Sequence, residues 1–141
     1  ILVGVARTSK TPTCLYLANR GIKAANVPFV PGVELPSALD RIKGPLIIGL
    51  TNDPKRLVEI RRARLSSLQA DDETSYVNPE QVKEELVSAR RYFNKRKWPV
   101  IDVTRRSIEE TATAIVALYT RHLEASGVDP DEITRVEGTG G

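Results

Sequence analysis

Residues 4–11 have the residue types and the spacing of a phosphate-binding loop. The segment, GVARTSKT, fits the pattern G-x-x-x-x-G-K-[ST] except that Ser9 stands in place of the second glycine. It follows an apolar run, residues 1–5, that predicts a buried strand, and it precedes a predicted helix. Such a loop directs several backbone N–H groups and the positive end of a helix at one point. We therefore predict that phosphate groups bind at Gly4, Val5, Ala6, Arg7, Thr8, Ser9, Lys10 and Thr11.

Two side chains of this loop have chemistry of their own. Lys10 would reach the terminal phosphate, and the hydroxyl of Thr11 would bind Mg²⁺ through a network that includes metal-bound water. Ser9 costs some stability if the backbone there needs a positive φ, because a Cβ atom is disfavoured in that region. The alternative interpretation of the segment is a polar turn whose lysine is solvated.

Asp53 is a candidate for metal-linked or acid–base chemistry. It follows an apolar run at residues 45–50 that predicts a third strand. If that strand lies beside the first, the carboxylate falls near the metal, where it could hold a Mg²⁺-bound water or accept the proton of an attacking hydroxyl. The alternative is that Asp53 only caps the helix that starts at Pro54, since a carboxylate accepts the free N–H groups of a first turn.

Arginines and a further strand end supply the remaining candidates. Arg61 and Arg64 lie on or just past the next predicted helix, and a lid closing over phosphates could bring them onto the transferred group as bidentate clamps. Alternatively, these two arginines belong to a solvated face or to a docking surface. Asp102, Thr104 and Arg105 follow a fourth predicted strand, where by analogy with P-loop kinases they would border the nucleotide. Alternatively, Asp102 is only a hydrogen-bond acceptor where the last helix starts.

The elements that must position these residues alternate along the chain. Strands are predicted at 1–5, 25–30, 45–50 and 99–103, and helices at 11–20, 36–42, 54–64, from 79 and from 108. Ser107 and Glu110 form the capping box of the last helix, and the polar residues 69–78 indicate an irregular loop. This alternation predicts an α/β fold, a parallel sheet with helices on both faces in three layers. Ligands of such sheets bind beyond the carboxyl ends of the strands.

The composition fits one compact domain and excludes several classes of protein. The chain has 141 residues, of which 40% are hydrophobic and 28% charged, as in a single globular domain. We assign residues 1–126 to that domain and residues 127–141 to a flexible tail. Apolar runs reach only about six residues, whereas a membrane-spanning helix needs about 20. A single cysteine, Cys14, and a single histidine, His122, exclude an internal disulfide and a structural zinc site, so the predicted location is the cytoplasm.

Positive charge is concentrated in two stretches of the chain. The net charge is +3, with basic clusters within residues 55–64 and 90–97. Such clusters attract phosphorylated small molecules, an acidic protein face or nucleic acid. Nucleic acid is disfavoured because aromatic residues, which serve as stacking platforms, make up only 5% of the chain. We therefore predict no nucleic-acid partner.

Four segments, in order, resemble one known family. They are GVARTSKTPTCLYLANRGIKAANVPFVPG, IGLTNDPKRLVEIRRARL, ARRYF and WPVIDVTRRSIEETA. Together they are similar to the C-terminal region of the pyruvate, phosphate dikinase regulatory protein family, which includes regulators of phosphoenolpyruvate synthase. The resemblance covers about residues 1–123 and departs from the usual family loop at Ala6, where a serine is usual. Because Ile1 already lies within a predicted strand, the chain looks like a piece of a longer protein.

The resemblance implies a P-loop kinase-like fold and a bifunctional enzyme. Such an enzyme transfers the β-phosphate of ADP to a threonine of pyruvate, phosphate dikinase, which leaves AMP, and it reverses the modification with inorganic phosphate, which releases pyrophosphate. Mg²⁺ at the site and a homodimer are implied as well. One alternative is the same chemistry on phosphoenolpyruvate synthase. Another is a nucleotide-binding module that is inactive without the N-terminal half of the family.

Overall fold

The computed structural model describes residues 1–67 and 74–127. The strands are β1 (Leu2–Gly4), β2 (Asn26–Pro28), β3 (Ile48–Thr51) and β4 (Val100–Asp102). The helices are α1 (Lys10–Asn19), α2 (Ala38–Arg41), α3 (Pro54–Ser67), α4 (Thr74–Val77), α5 (Pro79–Lys95) and α6 (Ile108–Ala125). Each strand and helix that the sequence predicts is present, with bounds that differ by a few residues. The predicted tail, beyond its first residue, lies outside the described residues.

The strands of the described residues form one parallel sheet in the order β2-β1-β3-β4. Leu2 of β1 pairs with Asn26 of β2 on one side and with Ile48 of β3 on the other, and β4 pairs with β3. The third strand therefore lies beside the first. This adjacency is the condition under which Asp53 was expected near the phosphate-binding segment, because the carboxyl ends of parallel neighbours meet at one edge of the sheet.

Helices cover both faces of the sheet because successive strand residues point to opposite faces. Val3 and Val5 pack in one core with apolar residues of α3 and α5. Leu2 and Leu50 pack in a second core with residues of α1 and α6. The buried Cys14 lies in this second core, as expected. The predicted α/β fold with three layers is confirmed.

A glycine in β3 lets α5 approach the sheet closely. A Cβ atom on Gly49 would lie 2.3 Å from the ring of Phe93, which is fully buried. The Phe93 ring contacts those of Phe29 and Trp98 with centroid distances of 6.2 and 6.1 Å. Trp98 is therefore part of the core packing, and a side chain at position 49 would push α5 away.

Capping residues define the ends of the helices. The side chain of Ser107 accepts from the N–H of Glu110, and the Glu110 carboxylate accepts from the N–H of Ser107, so the predicted capping box is confirmed. Asn78 caps α5 by accepting two backbone N–H groups of the first turn. Gly21, with a φ of 81°, follows the end of α1 in the left-handed conformation that a terminating glycine adopts readily.

The prediction of an irregular loop over residues 69–78 is wrong for its second part, where α4 forms. Val77 of this helix is buried, and the backbone carbonyl of Tyr76 accepts a hydrogen bond from the buried Arg61. These long-range contacts stabilise a turn of helix that the local polar sequence does not favour. The first part of the predicted loop, up to residue 73, lies outside the described residues.

Candidate phosphate-binding site

The predicted phosphate-binding loop connects the carboxyl end of β1 to the first turn of α1. At its start, a Cβ atom on Gly4 would lie 2.7 Å from the Thr8 hydroxyl and 3.0 Å from the carbonyl oxygen of Leu50. The first glycine of the motif is therefore required by the close approach of β3 and by the fold of the loop on itself. The Thr8 hydroxyl is fully buried and donates to the carbonyl of Val5 at 2.9 Å.

Two residues of the loop have left-handed backbone conformations. Ser9, where the general motif has glycine, has a φ of 61°, and Arg7 has a φ of 68°. Position 9 therefore has the positive φ under which the sequence analysis assigned a cost to a residue other than glycine. Such a conformation costs a residue with a Cβ atom on the order of 1 kcal/mol. The surrounding structure must hold the loop in this shape.

Lys10 is buried, so the interpretation as a polar turn with a solvated lysine is wrong. Only 8% of the residue is exposed, and its Nζ donates to the carbonyl of Val5 at 2.7 Å. Burial, together with the positive charges of Arg61 and Arg7, lowers the pKa of Lys10 to about 8. Within residues 1–67 and 74–127 no carboxylate forms an ion pair with this ammonium group, and a bound anion would supply the negative charge.

A cavity of about 480 Å³ lies over the loop and the start of α1. Lys10 and the exposed Thr11 line it, together with Ile60 of α3 and Tyr76 of α4. Ile60 and Tyr76 were not predicted as residues of the site, because only the folded chain brings α3 and α4 to the loop. The cavity combines a cation, a hydroxyl and the free N–H end of a helix, which together suit a phosphate group.

Asp53, Asp102, Thr104 and Arg105 line a second cavity, of about 540 Å³, at the ends of β3 and β4. Among the residues that the structure describes, none lines both cavities. The structure therefore brings these four predicted residues together at the same edge of the sheet as the loop, but in a neighbouring cleft.

Hydrogen bonds fix the backbone around Asp53. Its carboxylate accepts from the N–H of Arg56 at 3.1 Å, so its capping role is confirmed. Its own N–H donates to the side chains of Asn52 at 2.7 Å and Thr104 at 2.8 Å. Asn52 is buried; the sequence places it at the carboxyl end of a predicted strand, where ligands bind, but assigns it no role of its own. The Asp53 carboxylate remains exposed and can take part in other interactions.

Asp102 orders the turn between β4 and α6. Its carboxylate accepts from the backbone N–H of Thr104 at 2.9 Å and from the Thr104 hydroxyl. The interpretation of Asp102 as a hydrogen-bond acceptor before the helix is therefore confirmed. Arg105 follows with a φ of 56° and an exposed side chain. This turn is held to the end of β3 through the contact between Thr104 and Asp53.

The two predicted arginines of α3 have different surroundings. Arg61 is 1% exposed, so the interpretation as a solvated face is wrong for it. Its guanidinium contacts the carboxylate of Glu85 at 2.8 Å and the carbonyl of Ala6, in the loop, at 3.3 Å. Arg64 is exposed near the end of α3. Only Arg61 is thus joined to the loop by a hydrogen bond.

Comparison with known proteins decides the family. The family model described as kinase/pyrophosphorylase matches residues 1–116 of this chain. The protein belongs to the kinase/pyrophosphorylase family. The resemblance found in the sequence is thereby confirmed, and the protein is a member of a phosphotransferase family. Its relatives include proteins provisionally named pyruvate, phosphate dikinase regulatory protein.

Three such relatives are similar to most of the chain. The protein of Paramagnetospirillum magneticum is 60% identical over 128 residues, 91% of this chain and 41% of the relative. That of Caulobacter vibrioides is 57% identical, over 84% of this chain and 38% of the relative. That of Sphingopyxis alaskensis is 61% identical, over 84% of this chain and 44% of the relative. This kinase/pyrophosphorylase chain therefore spans about two fifths of the length of these curated relatives.

Two further findings concern the described part of this family member. No helix within it is both long enough and apolar enough to cross a membrane. No group of three or more His, Cys, Asp or Glu side chains within it could hold a metal ion. The cytoplasmic location stays a prediction.

Proposed function

We propose that this chain carries the phosphate-binding part of an enzyme that phosphorylates and dephosphorylates a threonine of pyruvate, phosphate dikinase. The donor would be the β-phosphate of ADP, and the acceptor in the reverse direction would be inorganic phosphate. One observation carries the proposal: the loop from β1 to α1 places the buried Lys10 and the exposed Thr11 on one cavity at the start of a helix. The family and the names of the relatives supply the reaction class and the target.

The loop and Lys10 would bind the β-phosphate. The first backbone N–H groups of α1 have no partner within the helix, so an anion at the helix start can accept from them. In the free protein the Lys10 ammonium donates to a neutral carbonyl, that of Val5. A charged phosphate oxygen is a stronger acceptor than a carbonyl. We therefore expect the ammonium to turn from Val5 to the phosphate.

The transfer would move one phosphoryl group between two oxygen atoms. The threonine oxygen attacks the β-phosphorus of ADP, the bond to the bridging oxygen breaks and AMP leaves, while the hydroxyl proton passes to a base. In reverse, an oxygen of inorganic phosphate attacks the phosphothreonine phosphorus and the bond from that phosphorus to the threonine oxygen breaks. Pyrophosphate is formed and released, and the threonine oxygen takes up a proton. Catalysis of this kind rests mainly on positioning and on neutralising charge.

Asp53 is the residue we propose as that base. Its exposed carboxylate follows β3, the neighbour of the strand that leads into the loop. The backbone bonds to Asn52 and Thr104 fix its position. Asp102, Thr104 and Arg105 would border the nucleoside from the adjoining cleft. Arg64 stays a proposed clamp for the transferred group.

Mg²⁺ fits this site when the substrate phosphates share its coordination. Thr11, in the first turn of α1, and Asp53, just after β3, are both exposed, and Mg²⁺ is usually held by one or two protein oxygens together with phosphates and water. When bound, the ion would neutralise the charge that develops on the phosphate oxygens.

A second candidate function is nucleotide binding without transfer. The chain spans 41% of the relative from Paramagnetospirillum magneticum, so groups needed for transfer can belong to the remainder of such a protein. Transfer to phosphoenolpyruvate synthase is a further alternative target. In both alternatives the loop is the nucleotide-binding site. ADP is bound without being consumed in the first, whereas it is converted to AMP in the second.

The test mixes the chain with ADP, Mg²⁺ and purified pyruvate, phosphate dikinase, and measures AMP together with phosphothreonine. We expect AMP and phosphothreonine in equal amounts, loss of both in Lys10→Ala, and no change in Lys83→Ala, which alters an exposed lysine of α5. Binding of ADP without AMP would favour the second candidate. Turnover retained by Lys10→Ala would contradict the proposed role of the loop. Phosphoenolpyruvate synthase replaces the dikinase in a parallel reaction to distinguish the two targets.

A further inference from the structure

Arg61 is a fully buried cation that lies behind the phosphate-binding loop. Arg61 is 1% exposed, and its Nη2 donates to the carboxylate of Glu85 at 2.8 Å and to the carbonyl of Ala6 at 3.3 Å. Its Nη1 donates to the carbonyl of Tyr76 at 3.1 Å. Burying a charge is costly unless it is paired and hydrogen-bonded. A leucine or methionine would fill this position of α3 without that cost, so the contacts of the guanidinium suggest a role beyond packing.

The guanidinium contacts protein groups only, within the described part of the chain. Both terminal nitrogens donate to protein oxygens, and Nε is buried with no hydrogen-bond partner in the described part of the chain. Arg61 does not line the cavity over the loop, although its neighbour Ile60 does. A direct contact with phosphate would require the guanidinium to leave Glu85 and the loop.

The bond to Ala6 determines the direction of the next amide. The carbonyl of Ala6 and the N–H of Arg7 belong to one planar trans peptide unit, in which the two groups point in opposite directions. Arg61 holds the carbonyl oxygen toward α3. The N–H of Arg7 must then point away from α3. A carbonyl turned the other way would present negative charge to a bound phosphate.

Arg7, to which this N–H belongs, has a backbone conformation that the surrounding structure must stabilise. Arg7 has a φ of 68°, which side chains with a Cβ atom adopt only when the surrounding structure holds them there. The hydrogen bond from Arg61 acts on the peptide immediately before it. Lys10 follows three positions later and donates to the carbonyl of Val5, so successive carbonyls of the loop are held by two different cations.

The same guanidinium also contacts Tyr76, another residue that lines the cavity. It donates to the carbonyl of Tyr76, and its carbon lies 4.7 Å from the centre of the Tyr76 ring, within range of a cation–π contact. Tyr76 lines the cavity together with the loop. One buried residue of α3 therefore sets the relative position of the loop and of α4.

We propose that Arg61 is a positioning residue of the phosphate site: by holding the Ala6 carbonyl and the Tyr76 carbonyl, it keeps the Arg7 N–H directed at the bound phosphate. The proposal rests on the proposed function, since it assumes that the loop binds phosphate. Arg61 would act by orienting the backbone of the loop, without a direct contact with the transferred group.

The first test compares the affinity for pyrophosphate, measured by titration calorimetry, of the natural chain, Arg61→Lys and Arg90→Lys. Lysine keeps the charge but cannot reach Glu85, Ala6 and Tyr76 together, so we expect Arg61→Lys to bind at least about tenfold more weakly, or about 1.4 kcal/mol. Arg90 is an exposed arginine of α5, and Arg90→Lys should bind as the natural chain does. A folded Arg61→Lys with unchanged affinity would overturn the proposal.

The second test needs no variant, so it applies even if Arg61→Lys fails to fold. In the ¹⁵N-labelled natural chain, pyrophosphate should shift the amide proton of Arg7 strongly downfield, as expected for an N–H that donates to an anion. A merely structural Arg61 requires no such shift, and its absence in the bound protein would overturn the proposal. If the natural chain binds no pyrophosphate, the proposed function fails and this inference with it. Unchanged affinity in Arg61→Lys would contradict this inference alone.

Discussion

Replacing Lys10 with methionine should stabilise the free protein while it removes anion binding. The pKa of Lys10 falls from its ordinary 10.5 to about 8 in the folded chain. Since each pKa unit is worth about 1.36 kcal/mol, keeping the buried ammonium charged at pH 7 costs about 3 kcal/mol of folding free energy. Methionine has a similar length and no charge. The carbonyl of Val5 would lose its bond from Nζ but keep the one from the Thr8 hydroxyl, at a cost of about 1 kcal/mol.

The expected gain in the free energy of unfolding is therefore about 2 kcal/mol at pH 7. It should depend on pH in a defined direction. Because the folded pKa lies below the unfolded one, the cost of the ammonium is complete below pH 8 and disappears as the pH rises toward 10.5. At pH 9.5 the advantage of Lys10→Met should have fallen to nearly zero.

Urea denaturation at pH 7 and pH 9.5 measures this difference. Lys83→Met is the matched control, since it removes an exposed lysine and should change stability by less than about 0.5 kcal/mol at either pH. If Lys10→Met lowered stability at pH 7, or raised it equally at both pH values, the reasoning about the buried ammonium would be refuted. Added pyrophosphate should stabilise the natural chain and leave Lys10→Met unchanged.

Three further predictions follow from the same contacts. Asp53→Asn should keep its stability within about 0.5 kcal/mol in urea denaturation, since asparagine caps as well as aspartate, but it should lose AMP formation if the carboxylate is the base. The affinity for ADP, titrated from pH 7.5 to 9.5, should fall as the pH passes through 8, where Lys10 loses its proton, and the same fall should be seen in the control Lys83→Met, which keeps Lys10. Gly49→Ala should destabilise the chain by about 3 kcal/mol, because its Cβ would meet the Phe93 ring at 2.3 Å; an unchanged urea midpoint would contradict the close packing of α5.

The fold could be predicted from the sequence because its signals are local. Apolar runs such as residues 45–50 indicate buried parallel strands, and the capping box at Ser107 marks the start of α6. The loop at residues 4–11 was found by its motif, and position 9, where the general motif has glycine, adopts a positive φ. Periodicity, caps and turn residues depend on near neighbours in the chain.

The parts that could not be predicted depend on contacts distant in sequence. Arg61 lies in a helix with other arginines, and its burial against Ala6 and Glu85 joins positions 55 and 24 residues away. The helix α4 forms where Tyr76 meets this arginine, within a stretch that is polar by composition. Likewise, the separation of the clefts that contain Lys10 and Asp53 follows from how α3 and the β4–α6 turn pack, which no local pattern encodes.

The central claim is that the backbone amides from Thr8 to Thr11, together with Lys10, bind the diphosphate of ADP. A crystal structure of the chain with ADP tests it most directly. The account predicts a β-phosphate within about 3 Å of these N–H groups, with the Lys10 Nζ moved from the carbonyl of Val5 onto a phosphate oxygen. A diphosphate bound instead in the cleft of Asp53 and Asp102, with Lys10 still on Val5, would contradict it.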